Sequence, residues 1–111
     1  MKPTLALVAA WLAFETAWAQ KVFSVQRESQ ADVKVFVVKY PSQADLLVFK
    51  VKHPSQADGN EGKWFFAPRE SQAEKKIFFV KYESQADLKI CFVKYESQAG
   101  WRNASKKHLL Y

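Results

Sequence analysis

Lys81-Tyr82-Glu83-Ser84-Gln85-Ala86-Asp87-Leu88-Lys89-Ile90 contains most of one period of a chain that repeats itself six times. Its Ser-Gln-Ala centre recurs at Ser29, Ser42, Ser55, Ser71, Ser84 and Ser97. The step between copies is 13 residues, except for one step of 16 between Ser55 and Ser71. The chain therefore divides into two sets of three repeats, with Gly59-Asn60-Glu61-Gly62 inserted at the seam. Self-similarity at a fixed short period is the signature of a repeat architecture, in which each unit leans on others to bury its apolar face.

Outward from the serine, each column of the repeat carries a physical meaning. One apolar column reads Val22, Val35, Val48, Trp64, Ile77, Ile90; the next reads Phe23, Phe36, Phe49, Phe65, Phe78, Cys91. Two positions further on come Val25, Val38, Val51, Ala67, Val80 and Val93. Lysines bracket these columns, with Lys34, Lys63, Lys76 and Lys89 before and Lys39, Lys52, Lys81 and Lys94 after. Aromatic and β-branched residues over five or six positions, closed by lysine, predict a short strand. Adjacent strand residues face opposite ways, so the unbroken runs Val35–Val38 and Ile77–Val80 require cover on both faces.

The Ser-Gln-Ala-Asp segment turns the chain between strands, where Ser and Asp side chains commonly bond nearby backbone. Pro41 and Pro54 precede two of the serines and end strands, since proline cannot donate to a ladder. The recurrent alanine implies backbones packed too closely for a larger side chain. Arg27, Tyr40, His53, Arg69, Tyr82 and Tyr95 form an amphipathic column expected at the rim of the core. If three repeats complete one circuit, the second three form another, pairing strand n with strand n+3. The glycine-containing insertion sits where the chain would pass between laps. The fold class expected is all-β: six short strands from 13-residue repeats, wound as two laps of three in one domain.

The run Phe79 to Ile90, followed by Cys91-Phe92-Val93-Lys94-Tyr95-Glu96-Ser97-Gln98-Ala99-Gly100-Trp101-Arg102-Asn103, resembles the septoil-knot domain family. The resemblance runs from Lys21 to about Tyr111 and includes the closing Lys-Lys-His-Leu tail. It implies a deeply knotted ring, a seven-crossing torus knot. Periodicity alone would not suggest a knot, because knots are essentially absent from protein folds. Ser24, Lys50 and the Trp64–Pro68 stretch depart locally from the pattern. The resemblance brings no activity, substrate or cofactor.

Residues 1–19 read as a signal peptide. Lys2 is followed by an apolar run from Thr4 to Phe14, shorter than the roughly 20 residues a spanning helix needs, and Ala17-Trp18-Ala19 fits a cleavage site. Residues 20–111 then form one exported, secreted or periplasmic domain with no membrane span, read as a monomer. Cys91 is the single cysteine, so disulfide stapling within the chain is excluded. Removing Lys2 and Glu15 together leaves the formal net charge of +6 unchanged.

None of the chemistry-bearing residues forms a recognisable catalytic set. Two histidines cannot serve six identical serines as general bases, so repeated turn chemistry accounts for the serines. The repeated Asp, Glu and Gln residues lack calcium-loop spacing and are assigned to their own turns. One cysteine and two histidines fall short of a zinc ligand set, and no metal or other cofactor is implied. Cys91 replaces a phenylalanine and reads as a buried small hydrophobe, and Asn103-Ala104-Ser105 matches a glycosylation acceptor. The strand-end lysines read as guards against edge-to-edge pairing. Arg102, Lys106 and Lys107 lie outside the repeat logic and are the candidate anion-binding residues. The function expected is a non-catalytic, kinetically stable exported scaffold or binding module with weak affinity for an acidic macromolecule or surface. The alternative is a small enzyme or inhibitor using the Gln/Asp/Tyr rims.

Overall fold

A computed structural model describes residues 20–57 and 59–110; the signal-peptide assignment for residues 1–19 lies outside the described residues. Seven strands form: β1 (Lys21–Ser24), β2 (Val33–Val37), β3 (Leu46–Lys50), β4 (Lys63–Phe66), β5 (Lys75–Phe79), β6 (Leu88–Phe92) and β7 (Gly100–Trp101). The first six close into a ring in the order β1-β5-β2-β6-β3-β4, with every neighbouring pair parallel. Strand n pairs with strand n+3 in all three cases, as the two-lap reading requires. The laps interleave, so no strand of the first lap pairs with another of that lap. β7 is an addition to the expected six strands; it pairs antiparallel with β3, at the copy where Gly100 stands in the Asp position.

The 16-residue step has a topological role. Within a lap each strand advances two places around the ring. A third such advance would return β4 to the place of β1. Instead β4 advances one place and pairs with β3, which shifts the second lap into the gaps of the first. Gly62 sits at this half-step with φ +90. A methyl group there would collide with the Leu47 carbonyl oxygen and stand 3.0 Å from the Gly100 nitrogen.

Register shows how tightly the laps engage. Ile77 is level with both Ser24 at the end of β1 and Val33 at the start of β2. Ile90 is level with Val37 and Leu46 in the same way. Each of these strands thus gives its first half to one neighbour and its second half to the other. The column beyond the strands extends the pattern: the N–H groups of Val25, Val38, Val51, Ala67, Val80 and Val93 donate to Ile77, Ile90, Trp64, Val22, Val35 and Val48 at 2.8–2.9 Å. Every one of these bonds joins opposite laps.

Inside the ring, Val22, Ile77, Val35, Ile90, Val48 and Trp64 form a fully buried middle layer. Complete burial of such side chains is worth about 1.5–3 kcal/mol each. One mouth is closed by Leu110, which packs into this core with Val33, Leu46 and Leu88. The other mouth carries Phe66, Phe79 and Phe92, alternating around the ring with Ser24, Val37 and Lys50. The Lys50 ammonium lies 5.2 Å and 4.6 Å from the Phe66 and Phe92 ring centroids, a cation–π clamp. Ser24 and Lys50, which interrupt the apolar run in the sequence, thus lie on this open end. β4, the irregular-looking strand, pairs on both sides. Trp64 Nε1 and Gln20 Oε1 are buried without a protein partner.

The outer face is covered by the repeats' own turns. Six short 3₁₀ segments, η1 (Glu28–Gln30), η2 (Pro41–Gln43), η3 (Pro54–Gln56), η4 (Glu70–Gln72), η5 (Glu83–Gln85) and η6 (Glu96–Gln98), each lie over one strand. The outward phenylalanines are half-buried beneath them and Cys91 is buried. The turns are closed by backbone: each alanine N–H donates to the residue before the serine at 3.1 Å. This corrects the expected turn chemistry, because among the described residues no serine hydroxyl of the six forms a hydrogen bond and all six serines are exposed.

The acidic column is also corrected. Asp32, Asp45 and Asp87 bond the opposite lap instead of their own turns. Their carboxylates accept from the backbone N–H of Lys76, Lys89 and Lys34 at 2.9–3.0 Å. Their own N–H groups donate back to those lysines' carbonyls at 2.7–2.8 Å. Glu74 keeps the backbone half of this exchange, donating to Lys21 O at 2.7 Å. The alanine column is mixed: Ala57 and Ala44 are buried, whereas Ala31, Ala73, Ala86 and Ala99 are half-buried.

Candidate anion-binding surface

The two lysine columns, equivalent in the sequence, have different electrostatic fates. Lys34, Lys76 and Lys89 reach back to Glu28, Glu70 and Glu83 of the preceding turn at 3.3–3.4 Å, and Lys63 reaches Glu96 at 3.3 Å. These half-exposed pairs are worth little to stability, but each cancels a charge locally. Lys39, Lys52, Lys81 and Lys94 are exposed and pair with no carboxylate among the described residues. They follow the strands and lead into the turns, so these four uncompensated charges lie on the turn rim.

The residue after each of these lysines begins the turn. Tyr40, Tyr82 and Tyr95 are 58%, 66% and 65% exposed. Arg27, His53 and Arg69, in the same column, are exposed too. The column therefore projects into solvent and does not line the core rim as expected. Ring order decides which of its members are neighbours. η4 lies over β1, η1 over β5, η5 over β2, η2 over β6, η6 over β3 and η3 over β4. Around the molecule the column then reads Arg69, Arg27, Tyr82, Tyr40, Tyr95, His53. Three tyrosines far apart in sequence occupy consecutive turns, each beside an unpaired lysine.

The three residues singled out in the sequence sit in the C-terminal segment, and two of them are engaged internally. Lys106 Nζ donates to the Asp87 carbonyl at 3.0 Å and pairs with Asp45 at 3.5 Å. Lys107 pairs with Glu61 at 3.7 Å. The Arg102 side chain is exposed, while its backbone N–H donates to Asp45 O at 2.8 Å. Asp45 thus anchors the tail, together with Asn103 N–H to its carbonyl at 2.9 Å. Asn103, the acceptor of the glycosylation motif, is half-buried, and Ser105 Oγ donates to its Oδ1 at 2.6 Å. These contacts compete with any external anion for the Lys106 and Lys107 ammonium groups.

Two grooves open on the outer face. One, of about 490 Å³, lies at the seam between Phe65, Pro54 and Pro68, with Lys21 and Glu74 on its wall. The other, of about 310 Å³, places His53 near Gln56, with Glu96 as the one carboxylate in its lining. Among the described residues no three His, Cys, Asp or Glu side chains converge as metal ligands would. The serines, His53 and Glu96 do not make a hydrogen-bonded nucleophile–base pair. Cys91 Sγ is buried, with only long contacts to the Lys39 and Phe92 carbonyls at 4.0 and 3.8 Å.

A closed parallel ring laid down in two interleaved laps defines a class of knotted all-β repeat proteins. The chain matches the family model of the 7(1) septoil knot domain over residues 19–102, and it belongs to that family. No curated protein and no solved structure matches it.

Proposed function

We propose that the protein is an exported, non-catalytic binding module of high kinetic stability that holds anionic macromolecules weakly through its turn rim. The observation that carries this reading is the sorting of the lysines. Turn glutamates neutralise one column, while Lys39, Lys52, Lys81 and Lys94 are exposed and pair with no carboxylate among the described residues. A dispersed set of such charges attracts a polyanion by counterion release, with affinity falling steeply as salt rises. Heparin affinity measured across a salt series tests it. Replacing the four lysines with Gln should weaken binding and flatten the salt slope without changing stability. Lys106→Gln with Lys107→Gln should act mainly on the anchoring of the tail. No heparin binding at low salt would remove the reading.

Export rests on the N-terminal leader pattern. The mature chain is expected to start at Gln20 by mass spectrometry, and retention of Met1 in exported protein would overturn that.

A further inference from the structure

The turn-rim column is more selective than a polyanion surface needs to be. Its members are two guanidinium groups, three phenols and an imidazole: Arg27, Arg69, Tyr40, Tyr82, Tyr95 and His53. All six are exposed. Their common property is a flat π surface. A turn-entry position in extended backbone, at φ −118 to −132, accepts many residue types, so backbone geometry does not demand planarity. Nor does packing, since these side chains lie largely in water. Exposed apolar groups scattered singly need no explanation, but planar groups recurring on neighbouring turns are not scattered singly. Here the interleaved laps bring Tyr82, Tyr40 and Tyr95 onto consecutive turns, with the arginines continuing the series on one side and His53 on the other.

We propose that the anionic partner is a single-stranded nucleic acid, its bases stacking on Tyr82, Tyr40 and Tyr95 while Lys81, Lys39 and Lys94 meet its phosphates. This deepens the polyanion reading and rests on it. Single-strand binders combine a basic track with aromatic platforms, and they tolerate any sequence because every base has a π-face. Tyrosine, histidine and the guanidinium plane of arginine are the groups on which unpaired bases stack. A duplex keeps its bases stacked internally and could use only the lysines. A sulfated polysaccharide would likewise need the cations, leaving the run of exposed rings without a role.

Binding of oligothymidylate and of heparin is compared at low salt for the full domain, for the triple variant Tyr40→Ala, Tyr82→Ala, Tyr95→Ala, and for the matching triple Phe variant. Urea titration checks that the variants stay folded, which surface positions should allow. The Ala variant should lose oligothymidylate affinity by about tenfold for each ring removed. It should keep heparin affinity within about twofold, and the Phe variant should bind both ligands like the parent. Unchanged oligothymidylate binding by the Ala variant overturns the proposal while leaving the polyanion reading in place. An equal fall for heparin overturns it in favour of a polysaccharide partner. Failure of the parent to bind either ligand removes both readings.

Discussion

Replacing Gly62 with alanine tests whether the half-step at the seam depends on close backbone approach. Gly62 and Gly59 both have positive φ, at +90 and +69. An L-residue in that region costs about 1–2 kcal/mol. The two sites differ in space. A Cβ at Gly59 meets nothing within 4 Å, whereas at Gly62 it runs into the Leu47 carbonyl oxygen, with the Gly100 nitrogen at 3.0 Å and Leu46 Cδ1 at 3.3 Å. Two of those three neighbours are backbone, one in β3 and one in β7, so neither can swing aside as a side chain would. Overpacking of this kind adds about 1–3 kcal/mol. Stiffening the unfolded chain returns about 0.4–1 kcal/mol at either site. Gly59→Ala should therefore cost about 1 kcal/mol, and Gly62→Ala about 2–4 kcal/mol. Urea titrations incubated until unfolding and refolding curves coincide would give both values. Costs for the two variants that agree within about 0.5 kcal/mol would show that φ alone matters and that the seam is not crowded.

The alanine column should respond unevenly. Ala44→Leu and Ala57→Leu should each cost about 1–3 kcal/mol by overpacking, Ala86→Leu less because that site is half-buried, and Lys39→Gln no more than about 0.5 kcal/mol. Equal, small effects in a denaturant series would mark all the alanines as ordinary turn residues. A chain wound twice through one ring should also unfold slowly in urea, beyond the seconds to days usual for small domains, and be unaffected by thiol, because its one cysteine is reduced and buried. Millisecond unfolding followed by tryptophan fluorescence would refute that.

The lap structure was legible because it is written in spacing. Two runs of 13-residue steps around one step of 16 imply two circuits and a seam, and the pairs β1–β4, β2–β5 and β3–β6 follow. The knot was legible only through family resemblance, since no rule of pattern leads to one. The two-sided burial of the strands could be read from the unbroken apolar runs. What covers the outer face could not, because the 3₁₀ turns are closed mainly by backbone bonds, with a glutamine Oε1 accepting from the entering backbone at Gln56 and Gln98.

The candidate surface was less legible in the sequence. A sequence read along the chain reports neighbours within a lap, while the surface is assembled across laps. Asp32 and Asp87 look like local turn residues because Asp so often bonds its own turn, yet the nearest free N–H groups belong to Lys76 and Lys34 on the other lap. The two lysine columns, by contrast, are sorted within a lap, by what the fold of the turn brings within reach. Lys34, Lys76 and Lys89 each meet a glutamate six residues upstream, and among the described residues no carboxylate pairs with Lys39 or Lys81. Tyr40 and Tyr82 are 42 positions apart in the chain. The half-step at Gly62 sets their turns side by side over β6 and β2, so the residue that shifts the second lap into the gaps of the first also assembles the tyrosine run.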